Sequence, residues 1–121
     1  MTTPRRLSCH CGAVVLSVRL GPEGLAAARH CNCSFCSRRA AATVTLAPDG
    51  LEIVQGEEAL RLYQWGSRTA EHYFCGICGI YTHHRRRTPA GEYAVNLGGL
   101  EGIDPSELEP LPWFPGRDIP L

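Results

Sequence analysis

The residues of this chain that could do chemistry are its seven cysteines, which fall into three tight groups. The groups are Cys9-His10-Cys11, Cys31-Asn32-Cys33-Ser34-Phe35-Cys36 and Cys75-Gly76-Ile77-Cys78. Cysteines this close together are poor disulfide partners for each other, but they suit a shared metal ion. The odd cysteine count and the absence of an apolar leader-like stretch argue against a secreted disulfide scaffold. The pattern therefore indicates zinc bound by thiolates in a reducing compartment, the cytoplasm.

The first and last groups have the form of a closed structural zinc site. Two residues between Cys75 and Cys78 let the backbone turn around a metal, at the tip of a predicted hairpin. Cys9 and Cys11 point to the same side if their segment is extended, because side chains alternate along a strand. Two and two make a tetrahedron of four thiolates that ties the N-terminal segment to a distant hairpin. Spacing alone also allows Cys9 and Cys11 to join the middle group instead.

The middle group has three thiols, one fewer than a closed tetrahedron requires. Zinc held by three protein ligands with one open position is typical of catalytic sites. The alternative is a shell completed by a histidine, for which the chain offers His30, His72, His83 and His84. The residues alone do not decide between these two arrangements.

The elements that must position these cysteines are mainly strands, because apolar residues alternate with a period of two. Strands are predicted over 13–20, 43–46, 51–54, 60–65, 69–74, 80–85 and 92–97, with turns at 48–50, 66–67 and 89–91. Short helices are predicted over 34–41 and from Asp104, which is a good N-cap ahead of a proline. The proline-rich tail is predicted to lie extended on the sheet, pinned by Trp113 and Phe114.

Composition narrows the class of protein. A length of 121 residues fits a single domain over 1–121. No apolar run is long enough to cross a membrane. Twelve arginines balance twelve acidic residues, and this neutral charge argues against a nucleic-acid partner for a domain of this size.

The cysteine motifs and their flanking residues resemble the glutathione-dependent formaldehyde-activating enzyme family over about residues 7–100. The resemblance is carried by Ser8-Cys9-His10-Cys11-Gly12-Ala13, His30-Cys31-Asn32-Cys33-Ser34-Phe35-Cys36, Arg38-Arg39, Phe74-Cys75-Gly76-Ile77-Cys78-Gly79 and Asn96-Leu97. Residues 100–105 and 114–117 are also similar to one branch of the family.

This resemblance implies a β-tent, in which small twisted antiparallel sheets are held together by zinc. It implies two zinc ions per chain: a structural one on Cys9, Cys11, Cys75 and Cys78, and a catalytic one on Cys31, Cys33 and Cys36. The implied activity is that of a carbon–sulfur lyase or synthase acting on a thiol–aldehyde adduct, such as the S-hydroxymethylglutathione formed from glutathione and formaldehyde.

Two further expectations accompany the resemblance. Arg38 and Arg39 follow the middle group directly, and they are candidates for binding substrate carboxylates, which arginine recognises in a bidentate manner.

The same scaffold also hosts proteins without enzymatic activity. A zinc-binding β-tent module for a protein or nucleic-acid partner is therefore the alternative function.

Overall fold

The structure, a computed structural model, describes residues 3–87 and 91–119. The strands in these ranges are β1 (Arg5–Ser8), β2 (Val15–Leu20), β3 (His30–Cys31), β4 (Thr43–Gln55), β5 (Leu60–Tyr63), β6 (Glu71–Cys75), β7 (Tyr81–Arg85), β8 (Tyr93–Asn96) and β9 (Trp113–Phe114). Helix α1 spans Cys36–Arg39, and 3-10 turns span Gly24–Ala27, Glu57–Ala59, Leu97–Gly99, Pro105–Leu108 and Gly116–Asp118. The predicted mainly β fold class is confirmed.

Seven of the strands form one antiparallel sheet in the order β1-β2-β4-β8-β7-β6-β5. The long strand β4 joins the two halves of this sheet. Its first residues, 43–45, pair with β8, and its later residues pair with β2. The small antiparallel sheets expected from the sequence therefore share one strand. A separate parallel pair, β3 with β9, differs from the antiparallel expectation.

The predicted turn at 48–50 is wrong, because β4 runs through it without a break. Pro48 and Asp49 are exposed there, and Asp49 has a positive φ of 56°. The pairing register with β2 shifts at this point. The residues that favour a turn produce a bulge-like irregularity instead, which lets the strand bend while it stays in the sheet.

The core follows the period-two pattern of the first predicted strand, except that Val15, on the other face, is also buried. Val14, Leu16, Val18 and Leu20 are all buried, as the alternation requires. They pack with the buried residues Leu7, Val44, Leu46, Val95, Leu97 and Leu100. Burial of these aliphatic side chains from both halves of the sheet supplies the hydrophobic stabilisation that holds the halves together.

The predicted helices are present but shorter than expected. Helix α1 occupies only part of 34–41, because the chain turns at Ala40 with a φ of 51°. Beyond Asp104 the chain forms the 3-10 turn Pro105–Leu108, with the Asp104 side chain accepting a hydrogen bond from the Ser106 amide. The predicted turn at 89–91 falls largely outside the described residues.

The C-terminal tail is extended, as predicted, but its strand β9 pairs with β3 rather than with the main sheet. The imidazole of His30 stacks on Trp113 with ring centroids 4.4 Å apart. The same imidazole lies 2.8 Å from the Glu109 carboxylate. The tail is thereby fastened beside Cys31.

No helix in the described residues is long and apolar enough to cross a membrane.

Candidate metal centres and the adjoining cleft

The structure brings Cys9, Cys11, Cys75 and Cys78 together, with all four sulfur atoms within 4.8 Å of one another. The Cys9 and Cys11 sulfurs are 3.7 Å apart, and the Cys11 and Cys75 sulfurs are 3.8 Å apart. Zinc–sulfur bonds of about 2.3 Å place tetrahedral thiolates about 3.8 Å from each other. The spacing of this four-thiol group therefore fits a zinc ion.

The local backbone explains how the four sulfurs meet. Residues 75–79 form the tip of the β6–β7 hairpin, where the Gly79 amide donates to the Cys75 carbonyl and Gly79 has a φ of 82°. Gly76 is needed for space, since a Cβ there would lie 2.9 Å from the Arg61 side chain. The segment from Cys9 to Gly12 is a tight turn closed by a 3.2 Å hydrogen bond, not the extended segment that the sequence predicted.

Backbone amides point at the sulfurs of this group. The Val14 amide lies 3.3 Å from the Cys9 sulfur, and the Ile77 amide lies 3.4 Å from the Cys75 sulfur. Burial raises the pKa of the Cys78 thiol, but hydrogen bonds from backbone amides and neighbouring thiols outweigh it and lower this pKa to about 6. These donors stabilise thiolate, which is the form that binds metal.

The middle cysteines form a second group. The sulfurs of Cys31, Cys33 and Cys36 lie within 4.8 Å of one another. Cys31 ends β3, and Cys36 begins α1, whose first amide lies 3.3 Å from the Cys33 sulfur. A hydrogen bond from Cys36, aided by the amides of Cys33 and Gly116, lowers the pKa of Cys31 to about 5. The chemistry of this donor set also fits zinc.

Among the described residues, no histidine nitrogen, further thiol or carboxylate oxygen lies close enough to complete this three-thiol group. His30 is occupied by Glu109 and Trp113. His83 is buried in the sheet, 2.8 Å from the Thr82 hydroxyl. The remaining two, His72 and His84, line a cleft beside the group.

This cleft has a volume of about 410 Å³ and is walled by all three thiols. Its aromatic and basic lining includes Trp65, His72, His84, Phe114, Arg29, Arg86, Arg87 and Arg117. A cleft of this size suits a small organic molecule. The sequence did not identify Arg29, Arg86 or Arg117 as lining a substrate cleft, because they come from three distant segments.

The two arginines that the sequence did single out lie elsewhere. Arg38 donates to the Ser34 carbonyl at the surface. Arg39 lies 3.6 Å from the centre of the Tyr81 ring, and its guanidinium donates to the Cys36 sulfur at 3.7 Å. Among the described residues, neither Arg38 nor Arg39 lines the cleft. Substrate binding by Arg38 and Arg39 stays a prediction. The hydrogen bond from Arg39 can help to hold the Cys36 sulfur in position.

His84 lines the cleft and is held by a tyrosine. Its Nδ1 lies 2.6 Å from the Tyr81 hydroxyl. Burial, followed by the nearby charges of Arg39 and Arg86, lowers the pKa of His84 well below its ordinary value, so the ring is neutral. Burial raises the pKa of Tyr81, which therefore keeps its proton. A hydroxyl that donates to Nδ1 leaves Nε2 as the protonated nitrogen of the ring.

Fold and site together define a class of protein. It is a small β domain in which a four-thiol group joins the N-terminal turn to the β6–β7 hairpin, and a three-thiol group opens to a cleft. Comparison with known proteins identifies the family. The sequence profile of the glutathione-dependent formaldehyde-activating enzymes matches residues 4–112. The chain belongs to this family, as the cysteine motifs predicted.

A solved structure shows the same fold. The chain is similar to a Rhodobacter sphaeroides protein whose crystal structure was determined in a structural genomics programme. The two share 51% sequence identity and superpose with a TM-score of 0.87. The match covers 90% of this chain and 99% of the other.

Proposed function

We propose that this protein is a zinc-dependent carbon–sulfur lyase or synthase that acts on a thiol–aldehyde adduct such as S-hydroxymethylglutathione. One observation carries the proposal beyond family membership. The three-thiol group opens into a cleft, and among the described residues it has no fourth protein ligand. That arrangement favours an exchangeable ligand, which a purely structural metal site does not have.

The two thiol groups would have different tasks. Cys9, Cys11, Cys75 and Cys78 would hold a structural zinc ion that fastens the N-terminal turn to the β6–β7 hairpin. Cys31, Cys33 and Cys36 would hold a second zinc ion facing the cleft. Zinc bound there would supply Lewis acidity, which promotes ionisation of a thiol or polarises an aldehyde oxygen. Thiol ligands need reducing conditions, so we place the protein in the cytoplasm.

The proposed reaction joins or separates a thiol and an aldehyde without any change in oxidation state. In synthesis the thiol sulfur bonds to the carbonyl carbon, and the carbonyl oxygen gains the proton that the thiol gives up. The cleft supplies the orientation that a bimolecular addition lacks in solution. His84 lines this cleft, with its Nδ1 2.6 Å from the Tyr81 hydroxyl. A Tyr81 hydroxyl that donates to Nδ1 would leave the proton on Nε2, from which His84 would donate to the developing alkoxide.

The proposal is tested by exchange spectroscopy on the zinc-loaded protein. Proton NMR of formaldehyde with glutathione should show faster exchange between free and adduct forms when the protein is present. Cys33→Ser should remove this acceleration and about one of two bound zinc ions, because only the three-thiol group is affected.

Cobalt substitution supplies a second readout. The thiolate absorption of the cobalt protein should shift when a small thiol is added, since one ligand position can exchange. Protein that neither accelerates exchange nor responds spectrally to any thiol would contradict the enzymatic proposal. The non-catalytic zinc-binding module would then be the better account.

A further inference from the structure

The cleft beside the three-thiol group is lined by a histidine, His72, that no step of the proposed reaction uses. His72 is buried, with 7% of its surface exposed. Its Nδ1 is buried without a hydrogen-bond partner, and no hydrogen bond joins its ring to any other described residue. A buried polar atom left unpaired destabilises the folded state, and an apolar ring would avoid that cost. The imidazole therefore points to a task other than folding.

The sheet places His72 beside His84. The two residues are register partners on β6 and β7, and partners that lie directly opposite each other share one face of a sheet. Their rings are stacked, with centroids 5.4 Å apart and planes inclined by 28°. Both residues line the cleft. A small molecule in the cleft that reaches one ring is therefore close to the other.

Aromatic contacts hold the His72 ring in this position. The Phe35 ring lies against it with centroids 4.5 Å apart, and Phe35 in turn stacks on Tyr63 at 5.2 Å. Phe35 directly precedes Cys36 in the chain, so the same contact connects His72 to the three-thiol group. Packing alone thus orients the imidazole, and its hydrogen-bonding groups are not consumed in the process.

Both imidazoles are neutral near pH 7. Burial, and after it the positive charge of Arg39, lowers the pKa of His72 to about 4. The same two causes come first in lowering the pKa of His84. A neutral imidazole has one N–H donor and one unprotonated nitrogen that accepts. A pair of neutral rings suits a hydroxyl group, which itself both donates and accepts.

We infer that His72 and His84 together form a subsite for the substrate oxygen, which is the hydroxyl of the thiol–aldehyde adduct. The inference rests on the proposed function and adds His72 as a second residue that contacts this oxygen. The hydroxyl accepts a hydrogen bond from His84 and donates one to the unprotonated nitrogen of His72. The ligand thereby uses the hydrogen-bonding capacity of His72 that the fold leaves unpaired.

Two matched thiols test this subsite on the cobalt-substituted protein. 2-Mercaptoethanol carries a hydroxyl where 1-propanethiol has a methyl group. Titration of the thiolate absorption gives a dissociation constant for each, and the preference for the hydroxyl should fall about fivefold in His72→Phe, the effect of one lost hydrogen bond. His72→Gln should keep more of the preference, because its amide can donate and accept. The same preference in wild type and His72→Phe would overturn the inference.

Thermal melting distinguishes binding from a structural role. His72→Phe should melt at or above the wild-type temperature, because it removes an unpaired buried nitrogen. His83→Phe is the matched control, since His83 is buried in the same sheet but lies 2.8 Å from the Thr82 hydroxyl and does not line the described cleft. It should melt lower and keep the wild-type preference. A lower melting temperature with an unchanged preference in His72→Phe would assign His72 to the core and overturn the subsite.

The outcomes separate this inference from the proposed function. Spectral shifts with both thiols but no effect of His72→Phe on their ratio would overturn the subsite and leave the exchangeable ligand standing. Absence of any shift with either thiol would contradict the proposed function. The subsite is then decided by the imidazole nitrogen resonances of His72 in the zinc-loaded protein. A change with 2-mercaptoethanol that 1-propanethiol does not cause supports the subsite, and the absence of a change overturns it.

Discussion

Gly116 lies where the C-terminal tail passes over the three-thiol group, so a methyl group added there would press directly on two of its cysteines. A Cβ built there would overlap the Cys31 sulfur and lie 3.2 Å from the Cys33 Cβ. The Gly116 amide also donates a hydrogen bond to the Cys31 sulfur. We expect Gly116→Ala to push the tail away from the group and remove that donor.

The size of the effect follows from what holds the tail. Its attachments include the Glu109–His30 hydrogen bond, the stacking of Trp113 on His30, two backbone hydrogen bonds of 2.9 and 3.2 Å to residues 30 and 32, and a 3.0 Å hydrogen bond from the Arg117 amide to the Asn32 side chain. Overpacking at a close contact costs about 1–3 kcal/mol. The tail is held less firmly than the core, so it should absorb this cost. The affinity of the three-thiol group for zinc should fall by about 5- to 150-fold, with little change in the unfolding midpoint.

A chromophoric chelator measures this loss. Chelator titration of the zinc-loaded protein should remove one ion more readily from Gly116→Ala than from the wild type, while the more tightly held ion is unaffected. Gly21→Ala is the matched control, because a Cβ there would lie 3.6 Å from its nearest neighbour, an ordinary contact. Wild-type affinity for both ions in Gly116→Ala would refute the idea that the tail closes over the three-thiol group.

The remaining predictions concern the two thiol groups and two histidines. Cys78→Ser should unfold the domain or lower its melting temperature severely, whereas Cys33→Ser should stay folded with less metal. If thermal melts showed greater damage in Cys33→Ser than in Cys78→Ser, the roles assigned to the two groups would be reversed. Burial lowers the pKa of His83 to about 4, below the ordinary unfolded value of about 6.5. The unfolded chain therefore takes up the proton first, and the stability present above pH 6.5 should fall by up to about 3 kcal/mol as the pH decreases towards 4. Urea unfolding at several pH values should show a smaller loss in His83→Gln, a comparison that cancels the effect of metal release. His84→Phe should slow formaldehyde–glutathione exchange by about 100-fold with metal content unchanged, and an unchanged rate would exclude its role as a hydrogen-bond donor.

The sequence was most informative where the chemistry is local. The cysteine groups and the hairpin tip at Cys75–Cys78 could be identified because metal ligands and strand alternation both leave short-range patterns. The period of two likewise identified the buried face of β2. These features depend on residues a few positions apart, and a single sequence displays them directly.

Features that depend on tertiary pairing were missed. Pro48 and Asp49 favour a turn in isolation, but β4 pairs with β2 on both sides of them, at Leu46 and at Leu51, and continues as one strand. Arg38 attracted attention because it follows the cysteines along the chain. Arg29 and Arg117 reach the same cleft from other elements, and the register of β3, β4 and β9 that brings them there is not encoded in any local pattern.

The two thiol groups also differ in the length of chain that each must close. Cys31, Cys33 and Cys36 belong to one six-residue segment and can chelate an ion before any sheet exists. The four-thiol group joins Cys11 to Cys75 across 64 positions, and closing such a loop costs about 4 kcal/mol of chain entropy. We therefore expect the nascent chain to acquire its first ion on the short segment, where binding to the unfolded state adds little to stability. We expect the later ion to drive folding, so that zinc scarcity would leave chains that already carry a metal ion and yet cannot fold.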